Sequence, residues 1–282
     1  MSQSVTPQPN LPQEVDFFTR IRSTIAIVLR QRTVPVFKDN DTIEAQEDTV
    51  GHGSGFVCEF QGGAFLVTAA HVIRGLKKPE FLKVALKNNS GEWIEERIET
   101  PLAVDEARDI AILSLKVRSE VCCPAIIPEP AHNLSSRLKI GVEVYYYGFP
   151  YLREPGRYTP VVQKGMIAGL DQRRDGRDYY ILQGTANPGN SGGPVFTIDG
   201  EVIGIVIEYV PPLQQARLAI LDGAGNLLQS MDKPSGLSLV VPINHGIAML
   251  KEASKTLPSH SQPAPVDIGS GQATVAAIKV EG

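Results

Sequence analysis

Apolar residues along this chain fall in strand-length runs separated by glycine, proline or charge. The runs are GSGFVCEF (53–60), AFLVTAAHVI (64–73), KVALK (83–87), DIAILSLK (109–116), GVEVYYYGF (141–149), VQKGMIAGL (162–170), DYYILQG (178–184), GPVFTIDG (193–200), EVIGIVIEYV (201–210) and GLSLVVPI (236–243). This regularity, with turn residues between the runs, predicts an all-β sandwich or double barrel rather than βαβ units. Ahead of them, EVDFFTRIRST (14–24) carries Phe18, Ile21 and Ile25 at helical spacing. IAIVLRQRTVPVF (25–37) is β-rich and predicts a strand ending at Pro35, followed by an acidic loop, DNDTIEAQED (39–48). NHGIAMLKEAS (244–254) predicts one closing amphipathic helix capped by Asn244.

The polar, proline-bearing residues 1–13 and the Pro-, Ser-, Gly- and Ala-rich residues 257–282 read as disordered tails around one domain, 14–256. Two insertions interrupt the strand pattern. PYLREPGRYTP (150–160) is a polar loop beside an aromatic strand, and the segment 209–234 centres on DGAGN, a hairpin turn between apolar arms. The longer insertion suits either a lid over a site or a surface hairpin.

Composition narrows the function classes. With 282 residues, 42% hydrophobic, a net charge of −4 and a pI near 5.8, the chain describes an ordinary globular protein with no footprint for nucleic acid. No apolar stretch approaches the ~20 residues of a membrane span, and the N-terminal residues lack the basic-then-apolar order of a secretory signal. Cys58, Cys122 and Cys123 are too few and too awkwardly spaced for a disulfide framework, which suits a cytoplasmic address. No spacing of Cys or His suggests a metal, and no cofactor is expected.

The chemistry concentrates at NPGNSGGPV (187–195), where one serine stands among three glycines and two prolines. A surface turn uses the same residues. A nucleophile would need them too, because bare N–H groups must face a developing oxyanion. A serine also requires a base, itself oriented by a carboxylate. Of the five histidines, His71 stands at the end of an apolar run after two small alanines, and Asp109 opens another apolar run. Asp105 is the alternative carboxylate, in a solvated loop. Gly189, Ser191 and Gly193 also spell the nucleophile elbow of α/β-hydrolases. That reading fails: no helix former follows the serine, strands and helices do not alternate, and the order Ser–acid–His would have to rest on His245 or His260.

The order His71, Asp109, Ser191 is that of the chymotrypsin-like fold. LVTAAHVI, DIAIL and GNSGGPV, with GEVIGIV and GLSLVVPI after them, resemble trypsin-like serine proteases, most closely the protease domain of the HtrA (Deg) family, over roughly 25–251. The resemblance implies two six-stranded antiparallel β-barrels with a short N-terminal and a C-terminal helix. It implies His71 as general base, Asp109 as its orienting carboxylate and Ser191 as the acyl-enzyme nucleophile. Gly189, Asn190 and Ser191 would form the oxyanion hole, and a peptide or protein would be the substrate. By alignment, Thr185 would floor the primary pocket, with Ile207, Glu208 and Tyr209 on its wall. A neutral floor predicts small or medium apolar residues before the cut. Glu208 could instead favour a basic group nearby, or sit as a rim residue. Asn190 replaces the aspartate that secreted trypsins pair with a new N-terminal amine, and the disulfide bracketing their histidine is missing. Both departures point to an intracellular or bacterial-type branch. The residues after Leu257 are too few for the PDZ domain usual in HtrA proteins. A partner-activated or catalytically silent peptide-binding scaffold, with a regulatory protein partner, and an esterase on the same fold are the competing readings.

Overall fold

The computed structural model describes residues 18, 21–22, 24–39, 42–61, 63–88, 90–116, 125, 138–150, 152–154, 157–172, 177–209, 217–221, 227–232 and 236–256. Of the predicted N-terminal helix, Phe18, Ile21, Arg22 and Thr24 are described, all helical. Both expected tails, with Cys122 and Cys123, lie outside the described residues.

The N-terminal half is one antiparallel sheet. Its strands are β1 (Ile25–Asp39), β2 (Thr42–Phe60), β3 (Gly63–Ala69), β4 (Glu80–Lys87), β5 (Trp93–Ile98), β6 (Ala103–Asp105) and β7 (Ile110–Ser114). Their order is β5-β4-β1-β2-β3-β7-β6, seven strands where six were expected. The additional members come from segments that do not look apolar. In β5 (WIEERI) only Glu96 and Ile98 are buried. Glu96 is tolerated there because both its carboxylate oxygens accept the Lys116 N–H, at 2.9 and 3.1 Å.

The expected loop 39–48 is instead the far end of a long β1–β2 ribbon, which pairs through Asp39↔Thr42. β1 also passes through Pro35 rather than ending there. β4 pairs with β1 only across Ala26–Arg32, so beyond Arg32 one side of β1 is an edge, where a residue without an N–H costs no ladder bond.

The C-terminal half closes into the expected six-stranded barrel. It contains β8 (Glu143–Gly148), β11 (Val161–Gln172), β12 (Asp178–Gln183), β13 (Pro194–Phe196), β14 (Val202–Tyr209) and β17 (Leu237–Pro242), in the order β11-β12-β17-β14-β13-β8. Two small hairpins stand apart from it, one in each predicted insertion. β9 (Leu152–Glu154) pairs with β10 (Arg157–Tyr158), and β15 (Arg217–Leu221) pairs with β16 (Leu227–Asp232) on either side of the expected DGAGN turn, which itself lies outside the described residues.

Two further helices are described. α1 (Ala70–Ile73) interrupts what the sequence presents as a continuous strand, and α2 (Ile243–Thr256) begins one residue before the expected cap, so Asn244 lies inside its first turn. A continuous apolar core runs from Ile27, Phe56 and Leu66 in the first sheet to Tyr146, Val195 and Val240 in the barrel, all essentially inaccessible. Among the described residues no helix is long and apolar enough to cross a membrane.

Candidate active site

The cleft sits where β2, α1 and the turn before β7 meet the loop between β12 and β13. It encloses about 590 Å³, and His71, Asp109, Gly189, Ser191 and Ile207 all line it.

Asp109 organises the histidine side. Its backbone adopts φ +60°, a left-handed conformation that a non-glycine residue holds only when its surroundings impose it. Three hydrogen bonds do so. The Asp109 carbonyl accepts Ala70 N–H at 3.1 Å, one carboxylate oxygen accepts His71 N–H at 2.7 Å, and the other meets His71 Nδ1 at 2.6 Å. The first two satisfy N–H groups that the start of a helix leaves without partners, which is why the chain turns helical at Ala70 instead of extending. The third fixes the ring, with its proton on Nδ1 in the neutral form, and leaves Nε2 as the nitrogen available to the cleft. Asp105 is not part of this arrangement: it accepts the N–H and a guanidinium N–H of Arg108, each at 3.0 Å. Burial raises its carboxyl pKa, but the Arg108 bonds more than offset this and hold it below the ordinary range.

Ser191 comes from the glycine-rich loop. Its hydroxyl donates to Ile207 O at 3.1 Å, and its carbonyl accepts Ser54 N–H at 2.7 Å. Among the described residues, the N–H groups of Gly189 and Ser191 donate no hydrogen bond. Asn190 is different from its neighbours: its N–H turns back onto Asn187 O at 3.0 Å, and its side chain is buried, donating to Gln163 Oε1 at 2.9 Å. Of the three expected oxyanion donors, therefore, two are open and Asn190 is engaged in the turn itself. Gly189 has φ +96°, and a Cβ there would run into the Phe149 carbonyl oxygen and His52 Nε2, so only glycine fits.

The remaining expected positions are partly displaced. Ile207 is buried and lines the cleft. Thr185 is half-buried one step behind the wall, its carbonyl facing Tyr146 Oη at 3.4 Å, and the wall itself is made by Ala186, Asn187 and Pro188. The backbones of Glu208 and Tyr209 continue β14 opposite Leu239 and Ser238, while their side chains lie outside the described residues. His52 and Ser54, which sequence reasoning passed over, both reach this site. Only the glycines flanking them hinted that backbone and side chains crowd there. Arg74 and Glu106 form an ion pair at the cleft, which Arg30 and Arg177 also line.

Residues 53–205 match the family of the trypsin-like peptidase domain. The chain is 34% identical over 162 residues to serine protease HTRA1A of Danio rerio, covering 57% of this chain and 30% of that protein. It is 28% identical over 217 residues to the mitochondrial serine protease HTRA2 of Drosophila willistoni, covering 76% and 41%. Against a probable periplasmic DegP-like serine endoprotease of Halomonas elongata it is 30% identical over 157 residues, covering 54% and 28%. The chain thus spans well under half the length of these curated relatives. Its fold is shared with the crystal structure of Deg5, at a TM-score of 0.56 and 18% identity, covering 86% of this chain and 94% of that one. A family match over more than half the sequence, on a fold that gathers a histidine, a carboxylate and a serine in one cleft, places this chain in the trypsin-like peptidase family.

Proposed function

We propose that this chain is a serine endopeptidase that cleaves peptide bonds through an acyl-enzyme, with His71, Asp109 and Ser191 as its triad. The single observation that carries the reading is the convergence of the His71–Asp109 pair, the Ser191 hydroxyl and two uncommitted N–H groups on one cleft.

Each group has a defined task. In this mechanism the Ser191 hydroxyl leaves Ile207 O for Nε2 of His71, which removes its proton as Oγ attacks the scissile carbonyl. Asp109 holds the ring in the required tautomer and stabilises the imidazolium. The Gly189 and Ser191 N–H groups meet the oxyanion, each worth about 3–4 kcal/mol in the transition state. His71 then passes its proton to the leaving amine, and water reverses the sequence to free the enzyme.

Small or medium apolar residues are favoured before the cut. Ala186, Pro188 and Ile207 form the wall beside Ser191, and both carboxylates of the cleft, Asp109 and Glu106, are already paired, with His71 and Arg74. The test is labelling with a fluorophosphonate. Wild type is expected to take the label on Ser191, and Ser191→Ala to take none. An unlabelled wild type that is folded and binds peptide would overturn the reading.

A further inference from the structure

Both oxyanion donors belong to the C-terminal barrel's loop, yet the peptide joining them is held from the other half of the molecule. His52 and Ser54 are two residues apart on β2, so their side chains leave the strand on the same face. They grip one residue, Phe149, by the peptide on each side of it. The Phe149 N–H donates to Ser54 Oγ at 2.9 Å, and the Phe149 carbonyl faces His52 Nε2 at 3.0 Å. Because a carbonyl only accepts, His52 carries a proton on Nε2.

The Ser54 hydroxyl accepts from Phe149 and so has its own proton to give elsewhere. It gives it to Gly189 O, at 2.6 Å. That carbonyl belongs to the Gly189–Asn190 peptide, which lies between the two peptides whose N–H groups would meet an oxyanion. Ser54 is fully buried, and its own N–H and carbonyl are fixed to Ser191 O and to the Thr68 hydroxyl. Phe149 is fully buried too, edge-on to Trp93 at 5.9 Å. Nothing in this chain of bonds is free to rotate.

We propose that Ser54 and His52 are positioning residues for the oxyanion hole: Ser54 holds the Gly189–Asn190 peptide in the orientation that leaves the N–H groups of Gly189 and Ser191 open, and His52 holds the backbone of Phe149, whose N–H orients Ser54. The inference rests on the catalytic reading of Ser191. Ser54 is buried and does not line the cleft, and His52, which does, has its Nε2 committed to the Phe149 carbonyl. They act on the rate only through the direction in which the Gly189 and Ser191 N–H groups point.

The experiment compares wild type with Ser54→Ala, His52→Leu and His52→Gln. The glutamine keeps a donor for Phe149 O, while the leucine removes it. Removing a donor outright from an oxyanion hole costs on the order of 10²–10³ in kcat. Misaiming the donors is expected to cost somewhat less, about 10- to 100-fold in kcat for Ser54→Ala, with KM nearly unchanged. His52→Leu should show a smaller loss in the same direction, and His52→Gln should recover most of it. A peptide boronate, whose tetrahedral adduct places an oxygen in the hole, should lose affinity in parallel with kcat, while a cleaved peptide product binds as before. Amide hydrogen exchange across residues 187–192 should be faster in Ser54→Ala.

Wild-type kcat and wild-type exchange in Ser54→Ala would overturn the proposal. So would equal losses in product and boronate affinity, which would mark a general collapse of the cleft. Because His52 is half-buried at the cleft, its variants keep the test decisive should Ser54→Ala fail to fold: leucine and glutamine behaving alike would overturn the latch. If wild type neither cleaves nor takes the fluorophosphonate, the catalytic reading falls, and the exchange rates alone still decide whether Ser54 and His52 hold this loop.

Discussion

Two histidine–aspartate pairs lie in this molecule at the same separation, 2.6 Å, and only one of them stands in a cleft. His71–Asp109 joins α1 to the start of β7, and His245–Asp178 joins α2 to the start of β12. Their surroundings differ in three ways. His71 offers Nδ1 to its aspartate and keeps Nε2 for the cleft, whereas His245 commits Nε2. Asp109 holds the histidine backbone as well as the ring, from a strained conformation; Asp178 touches the ring alone in the bonds the structure resolves. Finally, His71 shares its cleft with a serine hydroxyl and open N–H groups, and His245 does not line it. The short bond is common to both pairs, so it does not by itself mark the proposed base; what sets His71 apart is the cleft it shares with Ser191.

The comparison breaks most visibly at the nucleophile and base. Removing Ser191 or His71 as alanine should each lower kcat on a peptide substrate by on the order of 10⁶, and the double variant by little more, because the groups act as one unit. His245→Ala should leave kcat within about twofold. A next, smaller contrast uses the carboxylates. Asp109→Asn preserves shape but favours the wrong tautomer, with an expected loss of about 10⁴ in kcat. Asp178→Asn should leave the rate unchanged. Equal effects of the two asparagine substitutions would mean that the surroundings do not distinguish the pairs as argued. At the third level, Gly189→Ala pushes a methyl group into Phe149 O and His52 and should cost on the order of 10²–10³ in kcat by turning a donor away. Steady-state kinetics on one chromogenic peptide would read all three levels.

Sequence patterning carried most of this architecture where a strand is a continuous apolar run buried on both faces, as in Ile110–Ser114 and Val202–Tyr209. It also singled out His71, Asp109 and Ser191, because glycine around a hydroxyl and alanine before a histidine are local choices visible in the letters. It failed where the deciding partner is distant. Trp93–Ile98 looks too polar for a strand until Lys116 is seen to satisfy Glu96, and α1 forms because Asp109, 38 residues on, takes up its first N–H groups. His52 and Ser54 were illegible for the same reason. Their partners lie 97 and 135 residues away, and neither residue type announces a carbonyl to be held.

Stability, rather than rate, should report on the second pair. His245 is mostly buried, while 43% of the Asp178 side chain is exposed, so solvent screens the interaction. His245→Ala is expected to cost about 1 kcal/mol, a fall in Tm of ~2–4 °C for a chain of this size. Differential scanning calorimetry at neutral pH measures this, and a drop far larger would mean that α2 depends on the pair for its docking.

The smallest effect isolates the charge of Asp178. Tyr180 follows it by two residues on β12, and its hydroxyl is pushed up to about 12, first by burial and then by the nearby Asp178 carboxylate. An unfolded tyrosine titrates near ~10. Between these values the unfolded chain loses the phenolic proton and the folded chain keeps it, so this group's contribution to stability is intact below pH ~10 and is lost as pH rises toward 12. Asp178→Asn removes the second cause and leaves the first. Tyr180 ionisation, followed by ultraviolet difference absorbance against Tyr180→Phe, should therefore move down yet stay above the ordinary tyrosine range. The alkaline loss of stability should narrow with it. Asp178 and Tyr180 do not line the cleft that holds His71 and Ser191, so peptide cleavage at neutral pH should not respond. A shift in Tyr180 accompanied by a fall in kcat would show that the two pairs are coupled through the start of β12, where Arg177, just before the strand, and Tyr179 flank Asp178 and line the cleft.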